Sequence, residues 1–290
     1  MNSFKGRSLQ SFFLLRFLSL LTLSIVIVTV WSILGNWIGA SYAGRQWASA
    51  FTTHFKTEVN ELQQETEFAE IAIEHALEHK QKPDLPANYA VARAKPDGSY
   101  EYIVGKLNAE QDSKDLAAIE TNGLYRIGNN IVFVRKMKGQ GVGKNALPLL
   151  VLRVLRHGFS DRLANGLGAE ASIFVDGPTP SIISSSWKNI RGERVVPQIP
   201  ASVWSEVSKL RNDQLFEGTA EYKVQDYQGL YLHSQSEPAF HRGETDFRVF
   251  HAFTPIYDTT NTRIGYFSIV VPEDVLLLGV KKWMWISLLF

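Results

Sequence analysis

The sequence predicts a membrane-anchored α+β protein, in which a long N-terminal helix leads into one or two antiparallel sheet modules with flanking helices. Three observations support this fold class. Residues 17–44 carry no formal charge over 28 positions, and residues 45–80 place apolar side chains at helical spacing without a proline or glycine. From Asn88 onward, short strand patterns alternate with turn residues and with shorter helical segments.

The uncharged stretch predicts a transmembrane helix over residues 17–40. Residues 17–34 are almost wholly apolar. At about 1.5 Å per residue they cover roughly 27 Å, so the full segment exceeds the ~30 Å hydrocarbon core of a bilayer. The alternative is a cleaved signal peptide with its cleavage site near Ala48. Because signal peptides have apolar regions of about 7–15 residues with the cleavage site close behind, the longer stretch favours an uncleaved anchor.

Basic residues around the predicted helix indicate its orientation. Lys5, Arg7 and Arg16 precede it, whereas Arg45 alone follows closely. By the positive-inside rule, residues 1–16 are expected in the cytoplasm and the main domain on the outer side. The chain has no cysteine, so it needs no particular redox compartment. We therefore expect a bacterial inner (cell) membrane protein with a periplasmic domain.

A stalk helix is predicted for residues 41–82. Its apolar stripe runs from Trp47 to Leu77, and Pro83 and Pro86 follow its end. A stripe of this length predicts packing against the globular part or against a second subunit. We expect a homodimer joined along the stalk and the membrane helix.

Two modules are predicted after the stalk, the first over residues 83–156 and the second over residues 157–275, with a single enlarged module as the alternative. In the first module the pattern predicts a helix at 112–121 and strands at 88–95, 99–105, 124–127, 131–136 and 147–155. In the second it predicts helices at 159–167 and 201–210 and strands at 171–175, 182–186, 216–224, 229–234, 247–254 and 264–271. Residues 281–290 are expected to begin a second, truncated transmembrane helix.

Composition excludes several classes of function. The 30 basic and 29 acidic residues give a net charge of +1, so the chain lacks the basic excess of a nucleic-acid-binding protein. Without cysteine there is no thiolate metal site and no cysteine nucleophile. His75 and His79 lie one helical turn apart, but their acidic neighbours favour a solvated helix face. The sequence thus predicts no catalytic residue, no metal site and no cofactor.

The second half of the chain resembles a Cache domain, the extracytoplasmic PAS-like sensor of bacterial transmembrane receptors. The segments that carry the resemblance are residues 171–176, 184–186, 191–192 and 254–271. In the last of these, Pro255, Asp258 and Gly265 match the family pattern, whereas Asn261 stands where glycine is common. Over residues 45–272 the resemblance implies a double module. The Arg-x-Trp-Tyr arrangement of amino-acid-binding members is absent from the sequence.

The resemblance implies a function in signal transduction. A Cache module of this kind is the periplasmic ligand sensor of a histidine kinase of a two-component system, a chemoreceptor or a cyclic-dinucleotide enzyme, whose output domain lies outside this chain. The chain itself is then not an enzyme. The alternative is a membrane-anchored periplasmic enzyme, or an anchored binding protein that acts with a separate partner.

The candidate ligand site lies in the last sheet. His251 stands in an otherwise apolar row, and Tyr231 and His233 share a face of a neighbouring strand. The full set of candidate ligand-binding residues is Trp187, Arg191, Tyr231, His233, Arg248 and His251. With the two arginines as a clamp and a helix at residues 201–210 as a cover, these side chains predict a small organic anion, bound more tightly at mildly acidic pH.

An alternative site lies in the first module. Tyr100, Tyr102 and Arg135 are expected to border an equivalent cleft there. In double-module relatives the membrane-distal module often holds the ligand, which is the reason to consider this cleft.

Overall fold

The computed structural model of the chain describes residues 4–107, 112–137, 147–177, 181–189, 191–211, 214–225, 227–228 and 244–272. Contacts divide the chain into two compact units, residues 1–46 with 273–290 and residues 47–272. The strand predicted at 229–234 and the membrane segment expected at 281–290 lie outside the described residues.

Helix α1 spans Phe4–Glu78 and covers 75 residues, including the predicted anchor and most of the predicted stalk. In its apolar part, hydroxyl side chains donate to carbonyls of the preceding turn, as Thr22 Oγ1 does to Leu18 at 2.7 Å. Among the described residues, no helix combines the length and the apolar character that a membrane span requires. The transmembrane helix predicted over residues 17–40 is therefore not confirmed.

The first sheet has five antiparallel strands in the order β2-β1-β5-β4-β3. Helix α2, Asp112–Ala117, lies between β2 and β3 in the chain and is shorter than the predicted helix. The apolar run near residue 150 forms a buried strand, as predicted. The strands are β1 Tyr89–Ala94, β2 Tyr100–Val104, β3 Gly123–Ile127, β4 Asn130–Met137 and β5 Leu149–Val154.

The second half begins with helix α3, His157–Leu167, and its described residues contain one further helix, α4, Ala201–Val207. Its five main strands are β6 Glu170–Val175, β7 Ser181–Ser185, β9 Phe216–Gln225, β11 Glu244–Tyr257 and β12 Arg263–Pro272. A small two-stranded ribbon pairs β8, Lys188–Asn189, with β10, Tyr227–Gln228.

Both large sheets have the same topology. The second sheet has the order β7-β6-β12-β11-β9. Counted within its own half of the chain, each sheet therefore reads 2-1-5-4-3, with antiparallel neighbours throughout. Two antiparallel sheets with helices on their faces form an α+β fold that matches the PAS-like architecture predicted from the sequence.

The apolar stripe of α1 packs on both sheets of its own chain. Phe51 and Leu62 belong to a core cluster that also contains residues of α3 and of the second sheet. Ala69 and Ile73, further along the helix, pack on the first sheet. The described part of the predicted stripe therefore packs on the sheets of its own chain.

Ion pairs add to this packing along one side of α1. Glu58 is 5% exposed, and one of its carboxylate oxygens accepts from Nε of Arg162 in α3 at 2.9 Å. Two further arginines, Arg153 of β5 and Arg135 of β4, pair with glutamates of α1. These ion pairs lie along α1 beside its apolar stripe. Together with the apolar contacts, they hold the helix against both sheets.

Candidate functional site

The two faces of the second sheet carry different side chains, because successive residues of a strand point to opposite sides. On β11, Phe250 and Ala252 alternate with Val249 and Phe253. Ala252 belongs to the core shared with α1 and α3. Val249 and Phe253 belong to clusters on the other side, where α4 packs. His251 lies between them in the strand and is therefore on the α4 side.

An aromatic layer fills the space between this face and α4. The ring centroid of His251 lies 5.4 Å from that of Phe216 and 5.8 Å from that of Tyr222, and the rings are close to parallel. Trp204 of α4 contacts Phe253 edge-on at 5.5 Å. The aromatic layer consists of Phe174, Trp187, Trp204, Phe216, Tyr222, His251, Phe253 and Tyr266.

Small residues line the sheet beneath these rings. Ser172 of β6 and Ser268 of β12 are cross-strand partners, and Ser268 also lies opposite Phe253. Gly218 of β9 lies opposite His251. A Cβ atom at Gly218 would approach Nε2 of His251 to 3.3 Å. The glycine therefore leaves the imidazole room to lie close to the strand.

Several side chains of this region bury polar atoms that have no hydrogen-bond partner within the described part of the chain. They include four side chains, which contribute both ring nitrogens of His251 and the hydroxyl oxygens of Tyr222, Ser172 and Ser268. Each of the four side chains is at most 2% exposed. A buried polar group without a partner costs about 1–3 kcal/mol, so native proteins hold few of them. A few polar groups among aromatic side chains are the combination that ligand sites use, which makes this face the candidate site.

Burial keeps these polar groups uncharged. It lowers the pKa of His251 to about 4 and raises the pKa of Tyr222. His251 is therefore a neutral imidazole at neutral and mildly acidic pH, with one nitrogen that donates and one that accepts. Protonation of His251 therefore cannot cause the predicted tighter binding of an anion at mildly acidic pH.

Arg263 borders the aromatic layer at the end of α4. Its Nε donates to Oδ2 of Asp176 at 2.9 Å, and one Nη donates to the carbonyls of Ser208 and Leu210. The guanidinium lies 5.0 Å from the ring centroid of Tyr266. Burial and the nearby Asp176 carboxylate raise the pKa of Tyr266 to about 12. The positive charge of Arg263 is thus balanced by the carboxylate of Asp176.

Glu170 borders the layer at the other end. It is 1% exposed and accepts a hydrogen bond from the hydroxyl of Ser186. The same hydroxyl oxygen accepts from the backbone N–H of Ala171 at 2.8 Å. This carboxylate is tied to the β6–β7 edge of the sheet by groups of the protein itself.

The structure brings together two of the six predicted ligand-binding residues. Trp187 and His251 both contact Tyr222, at 6.5 and 5.8 Å between ring centroids. Arg248 is an exposed residue on the opposite face of β11 from His251, and Arg191 is exposed in the turn after β8. The predicted anion clamp is therefore not assembled around His251. Tyr231 and His233 lie outside the described residues.

The alternative cleft in the first module is divided between two faces of its sheet. Tyr100 and Tyr102 pack against the apolar cluster beside α2. Arg135 points to the other face, where it binds Glu67 and Glu70 of α1. A single ligand on either face cannot contact all three predicted residues.

Sequence reasoning missed most of the site. Tyr222, Ser172 and Ser268 were not singled out, although a periodic signal was present in β9. Alternate positions from Phe216 to Val224 are aromatic, small or apolar and share one face. The serines gave no such signal, because each is a single small polar residue with an apolar neighbour on either side in its strand.

Metal binding has no candidate in the described part of the chain. No group of three histidine, aspartate or glutamate side chains there is arranged to hold an ion. The chemistry of the site rests on aromatic surfaces and neutral hydrogen-bonding groups.

Solved structures similar to this chain include the two domains described below. No family model and no curated protein matches the sequence. The ligand-binding domain of the Pseudomonas aeruginosa PAO1 amino acid chemoreceptor PctB, in complex with L-Arg, has a TM-score of 0.33 and 14% identity over 83% of this chain and 93% of that chain. The extracellular domain of a protein described as a histidine kinase, soHK1S-Z6, has a TM-score of 0.33 and 10% identity over 83% and 92%.

Proposed function

We propose that this chain is the periplasmic ligand-sensing part of a bacterial inner-membrane receptor, with a Cache-like double module anchored through residues 17–40. The observation that carries the proposal is the aromatic layer, in which neutral polar side chains such as His251 and Tyr222 are buried without hydrogen-bond partners among the described residues. The 28-residue uncharged stretch in the sequence supports the anchor. The output domain would be a histidine kinase, a chemoreceptor signalling domain or a cyclic-dinucleotide enzyme outside this chain.

Strand β12 offers a short physical route from ligand to helix. Ser268 points toward the aromatic layer, and its neighbour Phe267 points toward α1. The ring centroid of Phe267 lies 3.9 Å from that of Phe55 in α1. A ligand that moves the strand therefore moves a residue in direct contact with the stalk, and shifts of about 1–2 Å are sufficient for signalling of this kind.

The alternative of a membrane-anchored enzyme has no specific support among the described residues. Among the described residues, no hydrogen bond joins the hydroxyl of Ser172 or of Ser268 to His251. A nucleophile and base within hydrogen-bond reach, which acyl-transfer chemistry requires, are not present in this layer.

A thermal-shift screen tests the proposed function. The 290-residue chain in mild detergent is screened against a broad library of small metabolites, and at least one compound is expected to raise Tm in a saturable way. Ser268→Val, which fills the floor of the layer, should reduce that shift. The matched variant Ser184→Val, on the opposite face, should leave it. A complete absence of stabilising compounds, or equal shifts in both variants, would refute a ligand site in this layer.

A further inference from the structure

The walls of the aromatic layer favour a flat ligand. Phe216, His251 and Tyr222 lie in a row with interplanar angles of 25° and 29°. Trp204, which covers the layer from α4, and Phe216 of β9 are partly exposed, so these two rings can be reached from solvent. The rings of this row present flat faces above a floor of small residues, and aromatic faces stack well on planar ligands.

The charges around the layer disfavour an ionic ligand. An anion would need a cation opposite, yet Arg263 is engaged by Asp176 and by two carbonyls at the end of α4. A cation would meet the face of Tyr266, over which Arg263 already lies at 5.0 Å. Glu170, the other charged group on this face in the described residues, is hydrogen-bonded by Ser186. Burying an unpaired charge costs more free energy than hydrogen bonds to neutral groups recover.

The polar groups in the layer each offer both kinds of hydrogen bond. A neutral imidazole donates from one nitrogen and accepts at the other, and serine and tyrosine hydroxyls do both. These groups are carried by His251, Tyr222, Ser172 and Ser268, all buried and unpartnered in the described structure. A ligand that satisfies them must itself carry donors and acceptors.

We infer that the aromatic layer binds an uncharged, planar ligand with both hydrogen-bond donors and acceptors, such as an aromatic carboxamide or a neutral nitrogen heterocycle. The inference rests on the proposed function, because it assigns a chemical class to the ligand of the same site. It replaces the small organic anion that the sequence predicted.

Three probes that share one ring test the charge preference. Nicotinamide is uncharged, nicotinate is its anion counterpart, and 1-methylnicotinamide is a permanent cation. Titration calorimetry on the 290-residue chain in mild detergent at pH 7.5 should show nicotinamide bound at least about tenfold more tightly than either charged probe. Equal or tighter binding of a charged probe, or no binding of any of the three, overturns the inference.

Variants assign the binding to the layer. His251→Phe keeps the ring but removes both nitrogens, so it should raise Tm without ligand and weaken nicotinamide binding about tenfold. Ser268→Ala is a milder second variant that should act in the same direction. Ser184→Ala, whose hydroxyl is hydrogen-bonded to Ser160 on the other face, should lower Tm and leave nicotinamide affinity unchanged. Unchanged nicotinamide affinity in both His251→Phe and Ser268→Ala would place the binding elsewhere and overturn the inference.

The outcomes separate this inference from the proposed function. If none of the three probes binds but other compounds stabilise the chain through this layer, the sensor proposal stands and the ligand class is wrong. If no compound of any charge stabilises the chain, both fall.

Discussion

At the scale of single residues, burial decides the charge of His251. Its folded pKa of about 4 lies below the ordinary value of 6.5, because the aromatic surroundings disfavour the imidazolium. Between these two values the unfolded chain binds a proton that the folded chain does not. The free energy of unfolding should therefore fall as the pH is lowered from about 6.5 to about 4, by about 2 kcal/mol at pH 5. Urea unfolding at pH 7.5 and pH 5 measures the difference.

The control for this pH dependence is His251→Phe, which has no titrating group at the position. In that variant the loss of stability between pH 7.5 and pH 5 should be smaller by about the same 2 kcal/mol. An identical loss in the variant and in the natural chain would show that His251 is not the group that titrates.

Two buried tyrosines provide a matched test of the unpartnered hydroxyls. The hydroxyl of Tyr222 has no partner in the described structure, whereas that of Tyr125 donates to the carbonyl of Thr121 and accepts from Thr259. Without ligand, Tyr222→Phe should be neutral or stabilising, and Tyr125→Phe should cost about 1–2 kcal/mol. Chemical denaturation of both variants checks the contrast. A loss of similar size in Tyr222→Phe would mean that its hydroxyl has a partner inside the protein.

At the scale of secondary-structure elements, one glycine allows two strands to pack closely. A Cβ at Gly265 of β12 would lie 2.2 Å from the carbonyl oxygen of Phe174 and 2.7 Å from Cδ1 of Ile131. Gly265→Ala should therefore cost about 2–3 kcal/mol. Gly158→Ala in α3, where nothing lies within 4 Å of the added atom, should change stability by less than about 1 kcal/mol. Similar midpoints for both variants in thermal unfolding would contradict this account.

The outer face of α1 determines where a homodimer can form. Leu62 and Ile73 are buried against the sheets of the same chain, whereas Phe68 and Ile71 are 73% and 63% exposed. We propose that the dimer predicted from the sequence forms through this exposed face. Single cysteines at 68 and 71 should crosslink in membranes, and cysteines at 62 and 73 should not. Efficient crosslinking at 62, or none at any position, would refute the dimer along this helix.

At the scale of the whole molecule, the two sheets of the unit 47–272 share contacts that should make them unfold together. Thr259 Oγ1 donates to the Tyr125 hydroxyl at 2.6 Å, and Phe133 of the first sheet belongs to the core cluster of the second. We expect one calorimetric transition for this unit. Phe133→Ala should cost about 3–4 kcal/mol and weaken the coupling. Two separate transitions in the natural chain would show that the sheets are independent.

The candidate site was only partly predictable from the sequence. His251 and Trp187 could be found because a histidine in an apolar row and a buried tryptophan are visible in strand patterns. Arg248 was misplaced for a geometric reason, since it lies three positions before His251 on β11 and therefore points to the other side of the sheet. Ser172 and Ser268 meet only when β6 and β12 pair, which is a contact between residues 96 positions apart.

By itself, the sequence determined the α+β class, the continuous stalk helix, the succession of helices and main strands along the chain and the absence of cysteine chemistry. These features depend on local periodicity, turn residues and composition, which short segments carry without reference to the rest of the chain. Only the tertiary structure decided that the described part of the stalk stripe packs on the sheets of its own chain, that the arginines do not surround His251, and that His251, Tyr222, Ser172 and Ser268 are buried on one face of the second sheet. These depend on strand pairing and on which face of a sheet each helix covers, and both are set by contacts between residues far apart in sequence.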